Sequence, residues 1–488
     1  RQLVNRIAGF DLAALVLRDE AGRPDGLVDP QTDEDRRRVE IAKACFRCHA
    51  TWPQAADDPQ APHRRPVKLA DGVSCEACHG PAVAWGTLAH QSPVWRLVKP
   101  EVKAQLGFTD VRNPLVKARL CASCHVGSAA EGKFVRHEWY AAGHPPLPGF
   151  EQTAFTAQMP PHWQPLAEKG NFRWKSEAAD PRSSAYLDGL GPVRSAFQLA
   201  RVEFRPEEQL AASYIAANSL PHAAGAAGAA DPLADRARTR EVMVAGLAAL
   251  EAYVRLVGAY AGEAAEGKAP WPELALYDCT ACHHPLRTSL GFAERPQRRT
   301  PPGRPPLALW PRVLGEAGTA LVSARGGKPG QDAAGRLPGL LQTLDEAATR
   351  QPFGDPRAMH AAAEEVSEAL GEVARAAQHM RYDAAASRQA ALWLTDPVQV
   401  ETRDVAAARQ AAWALRGLAA ELNLPGAERL FARGEEDPLA LALPSGTERS
   451  VLAHLPVWLS AAARYESAWF RAELDDVRRR LGAGPPAP

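Results

Sequence analysis

Cys45-Phe46-Arg47-Cys48-His49 is the first of four Cys-x-x-Cys-His pentapeptides in this chain. The others are Cys75-Glu76-Ala77-Cys78-His79, Cys121-Ala122-Ser123-Cys124-His125 and Cys279-Thr280-Ala281-Cys282-His283. Together they use all 8 cysteines of the 488 residues. This spacing lets each cysteine form a thioether to one vinyl group of a haem, and the adjacent histidine reaches the iron as proximal ligand. Four covalently bound haem c groups are expected. Cys45, Cys48, Cys75, Cys78, Cys121, Cys124, Cys279 and Cys282 would attach them, and His49, His79, His125 and His283 would ligate iron.

Other uses of Cys-x-x-Cys fit less well. Structural zinc takes paired cysteines, but does not ask for histidine directly after the second one. With 14 histidines in 488 residues, a given position is histidine by chance about 3% of the time, so four in four is roughly a one-in-a-million accident. A disulfide framework needs no repeated pentapeptide, and a redox dithiol needs no four copies.

Charge and hydropathy narrow the class further. Lys+Arg and Asp+Glu stand at 57 each, so there is no basic field to attract nucleic acid. Haem propionates would make the loaded protein acidic. No stretch approaches the roughly 18 apolar residues of a membrane span; the apolar run Leu12 to Leu17 is far too short. The chain opens at Arg1 without a methionine, consistent with a targeting segment removed or left out. Covalent haem is attached outside the bacterial cytoplasmic membrane, so a periplasmic or otherwise exported location is expected.

Three motifs fall within Cys45 to His125 and the fourth waits until Cys279. The expected fold is mainly α, a loop-rich tetrahaem cytochrome c core with an α-helical bundle as its C-terminal region. The expected divisions are 1–165, with three motifs, 166–294, a helical insertion with the fourth, and 295–488, an Ala-rich bundle without haem. Trp52, Trp85, Trp95, Trp139 and Trp163 are expected on or around porphyrins. Ala223 to Ala230 resembles a flexible connector. Asp231-Pro232 marks a helix start, followed by one apolar stripe at Met243, Leu247, Leu250, Val254 and Val257. The Pro/Arg-rich run Arg295 to Pro306 cannot hold a regular helix. Beyond it, Asp355-Pro356 opens a helix with a stripe at Met359, Ala363, Val366, Leu370, Val373, Ala377 and Met380. A third stripe runs Val405, Ala408, Ala412, Leu415, Ala419 and Leu422, ending near Asn423 and Pro425. A last helix is expected from about Pro456 to Leu481. Short-looped amphipathic helices in series suggest an antiparallel bundle.

Each iron also needs a ligand on its opposite face. Of 4 methionines, Met159 alone lies near the motifs, so histidine is the expected distal ligand. His63, His90, His137 and His144 are the leading candidates. His90 can loop away from motif two to a neighbouring haem. His144 stands in Ala142-Gly143-His144-Pro145-Pro146, where Gly and Pro make a turn that projects the imidazole. His162, His222 and His284 rank lower, and His360, His379 and His454 suit solvated helix flanks.

The stretch Asp71-Gly72-Val73-Ser74-Cys75-Glu76-Ala77-Cys78-His79-Gly80-Pro81-Ala82 resembles the haem loop of the nitrification-type tetrahaem cytochromes c. Those electron carriers accept electrons from hydroxylamine oxidoreductase. The run His137-Glu138-Trp139-Tyr140-Ala141-Ala142-Gly143-His144-Pro145 resembles a segment of related multihaem cytochromes. The likeness covers roughly residues 40 to 165 and the fourth motif, about a third of the chain. It implies closely packed, mostly bis-His haems, one of them lacking a sixth ligand in the namesake carriers. This chain departs from them in its length, its delayed fourth motif and its C-terminal helices.

Electron transfer between a protein donor and a protein acceptor is the leading expectation. It requires no catalytic side chain, only ligands and burial that set potentials. The C-terminal helices would then serve docking or oligomer assembly. The alternative is a multihaem oxidoreductase with one open-coordinate haem acting on a small nitrogen compound, with His162, Tyr140 and His137 as candidates to handle protons. A haem-based sensor is a third class.

Overall fold

Helices dominate the residues that the computed structural model describes: 16–18, 24–27, 29–51, 72–82, 85–86, 100–144, 147, 149–157, 159, 236–283, 301, 303–396, 399–400, 404–432, 439 and 465–482. They group into two compact units. One comprises Ala8–Lys117 and Pro160–Ala224; the other Arg1–Ile7, Ala118–Met159 and Gly225–Pro488. Motifs one and two therefore belong to the first unit, and motifs three and four to the second.

In the first unit, β1 (Val16–Arg18) and β2 (Pro24–Leu27) form an antiparallel pair. Helix α1 (Asp33–His49) follows, and its start is written in Thr32-Asp33-Glu34-Asp35. The Thr32 hydroxyl accepts the Asp35 N–H at 3.0 Å and the Asp35 carboxylate accepts the Thr32 N–H at 3.2 Å, a reciprocal cap. Motif one is the last turn of α1. Short helices α2 (Cys75–His79) and α3 (Pro100–Gln105) come next. Helix α4 (Pro114–His125) begins after Asn113, whose side chain accepts from the Leu115 and Val116 N–H groups, and ends on motif three. From Ala118 onward it belongs to the second unit.

The second unit continues with α5 (His137–Ala141) and α6 (Gln152–Ala157), and its core is α7 (Ala237–Ala265). The single apolar stripe expected for α7 is too narrow. Val242 to Leu250 are buried without a break, so neighbours cover every face. The helix also begins at Ala237, after Arg236 in a non-helical conformation, and not at the Asp231-Pro232 signal. Those two residues and the Ala223–Ala230 connector lie outside the described residues. By length and composition α7 could cross a membrane, contrary to the reading that no stretch approaches a span, yet 83% of its most apolar window is buried within the protein.

Around α7 stand α8 (Trp310–Arg325), α9 (Lys328–Thr349), α10 (Pro356–His379), α11 (Ala384–Leu394), α12 (Val405–Glu421) and α13 (Ser467–Gly482). Helix α7 packs mainly on α10 and α8, and α9 packs on α10. The α7–α8 crossing is close because Gly246 lies against Leu314 and Gly315 against Leu250, where a Cβ would collide. The Asp355-Pro356 start is observed, with the Asp355 carboxylate accepting from Arg357 and Ala358. All seven stripe residues of α10, Met359 to Met380, are buried. The α12 stripe is buried at Ala408, Ala412, Leu415 and Ala419, and the helix stops before Asn423, which takes a positive φ of 56°. The last described helix starts at Ser467, after Tyr465 and Glu466 in non-helical backbone; Pro456 to Arg464 of the expected helix lie outside the described residues.

Several contacts join residues on either side of position 294. Leu307, just past the Pro/Arg-rich run, bridges to Tyr277, and the Asp278 N–H donates to the Pro306 carbonyl. The Tyr253 hydroxyl on α7 accepts the Ala308 N–H at 2.8 Å. Residues on either side of 294 thus share one core.

Candidate functional site

Motifs one and two are stitched together at their inner ends. The Thr51 N–H donates to the Gly72 carbonyl at 2.7 Å, and the Thr51 hydroxyl accepts the Ser74 N–H at 2.7 Å. Thr51 directly follows the C-cap of α1, and Ser74 immediately precedes Cys75. Burial pushes the His49 imidazole down and the Cys45 thiol up. In motif two, the Glu76 carboxylate accepts the Ala82 N–H, and Gly80 turns at a positive φ of 76° where a side chain would strike Gly107. The His79 ring stacks on Phe108, with centroids 5.2 Å apart and planes 14° apart, and meets buried Trp85 edge-on at 6.1 Å. Of the five tryptophans expected around haem, Trp85 lies beside His79 and Trp139 is half-buried; Trp52, Trp95 and Trp163 lie outside the described residues.

Motif three is enclosed by the helices that the sequence assigned to a separate region. His125 stacks on Phe150 at 4.8 Å and 13°, and Phe155 meets it edge-on at 5.0 Å. Phe155 in turn touches Trp413 of α12, and the Gln410 side chain of α12 donates to the Phe150 carbonyl at 2.8 Å. Burial lowers the His125 pKa to about 4. Its imidazole is therefore neutral across physiological pH, the form that binds a metal. Arg119, two residues before Cys121, makes a two-toothed ion pair with Glu251 of α7 at 3.0 and 3.1 Å, which locks α4 onto the core.

Motif four sits on a short turn, Cys279–Ala281, held to the core by the Tyr277 and Asp278 contacts above. Its His283 ring lies 6.3 Å from that of His137, with planes 27° apart. Two imidazoles on opposite faces of one iron have ring centres roughly 6 Å apart, from metal–nitrogen bonds of about 2 Å plus about 1 Å to each ring centre. The spacing of the His137 and His283 rings matches that distance. Tyr140 is close by. Burial pushes its phenol up, as does the neighbouring Cys279 thiol, against a hydrogen bond from the Leu147 N–H. Burial, then Asp278 and Asp404, likewise raises the Cys279 thiol.

The chemistry of the donor set fits haem better than zinc. None of the eight cysteines is in a disulfide, and among the described residues no three or more His, Cys, Asp or Glu side chains gather as a metal site. Gln152 on α6 is 1% exposed and neither amide atom has a hydrogen-bond partner among the described residues, so a buried polar donor stands near motif three.

The remaining candidates divide simply. His144 follows α5 after Gly143, at a positive φ of 109°, with its ring against Tyr140 at 6.0 Å. His63 and His90 lie outside the described residues, as do His162, His222, His284 and His454. His360 bonds the Gly258 carbonyl and His379 bonds Gln378, the flank roles expected of them. Met159 is 45% exposed. Sequence reading missed Phe150, Phe155, Trp413 and Glu251, since no local motif marks a residue that approaches a haem motif from a distant helix.

A family model described as cytochrome c554 and c-prime matches residues 27–80, spanning motifs one and two. Over these residues, about a ninth of the chain, the sequence is similar to that family of c-type cytochromes, and the likeness supports covalently bound haem c at these two motifs. No curated protein and no solved structure matches the chain.

Proposed function

We propose that the chain is an exported, periplasmic tetrahaem c-type cytochrome that passes electrons between a donor and an acceptor protein through closely packed, mostly bis-His haems. The His137–His283 pair, 6.3 Å from ring to ring, is the observation that carries this reading. The four Cys-x-x-Cys-His motifs and the cytochrome segment support it.

When bound, haem supplies one-electron chemistry at its iron. The chain's own residues hold and insulate. The eight cysteines would form the thioethers; His49, His79, His125 and His283 would be proximal ligands. His137 would be distal to the fourth haem, and His63, His90 and His144 remain the candidates for the others. Phe150, Phe155 and Trp413 keep water from His125, and Phe108 and Trp85 orient His79. A neutral, desolvated imidazole such as that of His125 binds iron without competition from a proton.

The test uses holoprotein matured in a periplasmic expression host. Pyridine haemochrome and intact mass should give four haems per chain. The oxidised protein should show only low-spin signals by electron paramagnetic resonance, and the reduced protein no carbon monoxide adduct. Fewer than four haems would overturn the count. One high-spin, carbon monoxide-reactive haem, with steady-state turnover of hydroxylamine or nitrite, would favour the oxidoreductase reading instead.

A further inference from the structure

We infer that Glu273 is the positioning residue that sets His137 over the fourth iron, and that its reach rather than its charge does so. The inference rests on His137 and His283 sharing one haem. Glu273 lies six residues before Cys279, on the segment that bears the proximal ligand. Its Oε1 accepts two backbone N–H groups: that of Ala275 in its own turn, at 3.1 Å, and that of His137, 136 residues away in sequence, at 2.9 Å.

The two sides of this bond differ in how firmly they are held. On the proximal side, the Leu276 carbonyl accepts the Tyr253 hydroxyl, and the Trp271 Nε1–H donates to the Phe353 carbonyl at 3.0 Å. Tyr277 also donates to Phe353. That segment is therefore tied to buried α7 and to the turn between α9 and α10. On the distal side, His137 is the first residue of the five-residue helix α5, and Arg136 before it provides no side-chain cap. An N-terminal N–H of a helix has no intrahelical acceptor, so an outside group must satisfy it. Here that group is the Glu273 carboxylate. One oxygen thus spans from the rigid proximal segment to the backbone of the distal ligand, as partners behind a metal ligand fix its orientation elsewhere.

Glu273→Asp keeps the charge but shortens the arm by a methylene, so it can cap Ala275 without reaching His137. Glu273→Gln keeps the reach and a carbonyl acceptor, and drops the charge. Holoprotein of each, with His137→Ala as reference, is compared by electron paramagnetic resonance and by carbon monoxide titration of the reduced form, at equal haem content and helicity. His137→Ala should open one haem equivalent per chain. Glu273→Asp should open most of that same equivalent, while Glu273→Gln should stay low-spin like the parent. A low-spin Glu273→Asp, or a Glu273→Gln that opens as far as Glu273→Asp, overturns the inference while leaving the His137 ligation intact. A His137→Ala protein with every haem still closed overturns the ligation itself.

Discussion

Replacing Lys103 by Met should stabilise the unit that carries motifs one and two. Lys103 lies on α3 and is only 3% exposed. The Asp110 carboxylate that acts on it is also bonded to Arg112 at 2.7 and 2.6 Å. Burial first, and then the Arg112 charge, lower the Lys103 pKa from 10.5 to about 8, with Asp110 opposing. The unfolded chain thus holds a proton on this amine that the folded chain releases between about 8 and 10.5. The unfolded state binds more protons in that window, so stability rises with pH across it. At about 1.4 kcal/mol per pK unit, charging the buried amine costs up to ~3 kcal/mol at pH 7. Met keeps the unbranched shape without the charge. Lys103→Met should therefore gain about 1–3 kcal/mol at pH 7, and the gain should shrink by about half by pH 9.5. Urea denaturation of the holoprotein at pH 7, 8.5 and 9.5, followed by tryptophan fluorescence, measures both. A variant less stable than the parent at pH 7, or a gain that does not change with pH, would refute the reasoning.

Phe150→Ala removes a 3% exposed ring that faces His125; by the usual cost of such truncations it should destabilise the helical unit by about 3–5 kcal/mol in urea. It should also shift one midpoint in a potentiometric titration, because water would reach the third motif. Thr51→Val keeps the shape but leaves the Ser74 N–H without its 2.7 Å acceptor, costing about 1–3 kcal/mol. In low-temperature spectra the haems of motifs one and two should respond and the other two should not.

The haem attachment residues were legible because covalent chemistry is local. A thioether and its proximal histidine need only five consecutive residues, and no fold can disguise that spacing. One helix start was legible for the same reason: Asp355-Pro356 places its carboxylate on the N–H groups two and three residues on. The α10 stripe was legible because one face is buried and a period of 3.6 survives. In α7 it did not, because α8 and α10 cover the helix together and leave little exposed face to break the apolar run.

Tertiary structure alone decided which distant residues meet a motif. His137 and His144 were both candidates by position, and only the fold brought the His137 ring to His283 and its N–H to Glu273. The C-terminal helices carry no cysteine, so no motif links them to His125; packing brings Gln410 and Trp413 of α12 onto Phe150 and Phe155, which flank that imidazole. Bonds between neighbours in sequence set what is attached to this chain. Contacts between residues more than a hundred positions apart, bought with the burial of α7, set what surrounds it.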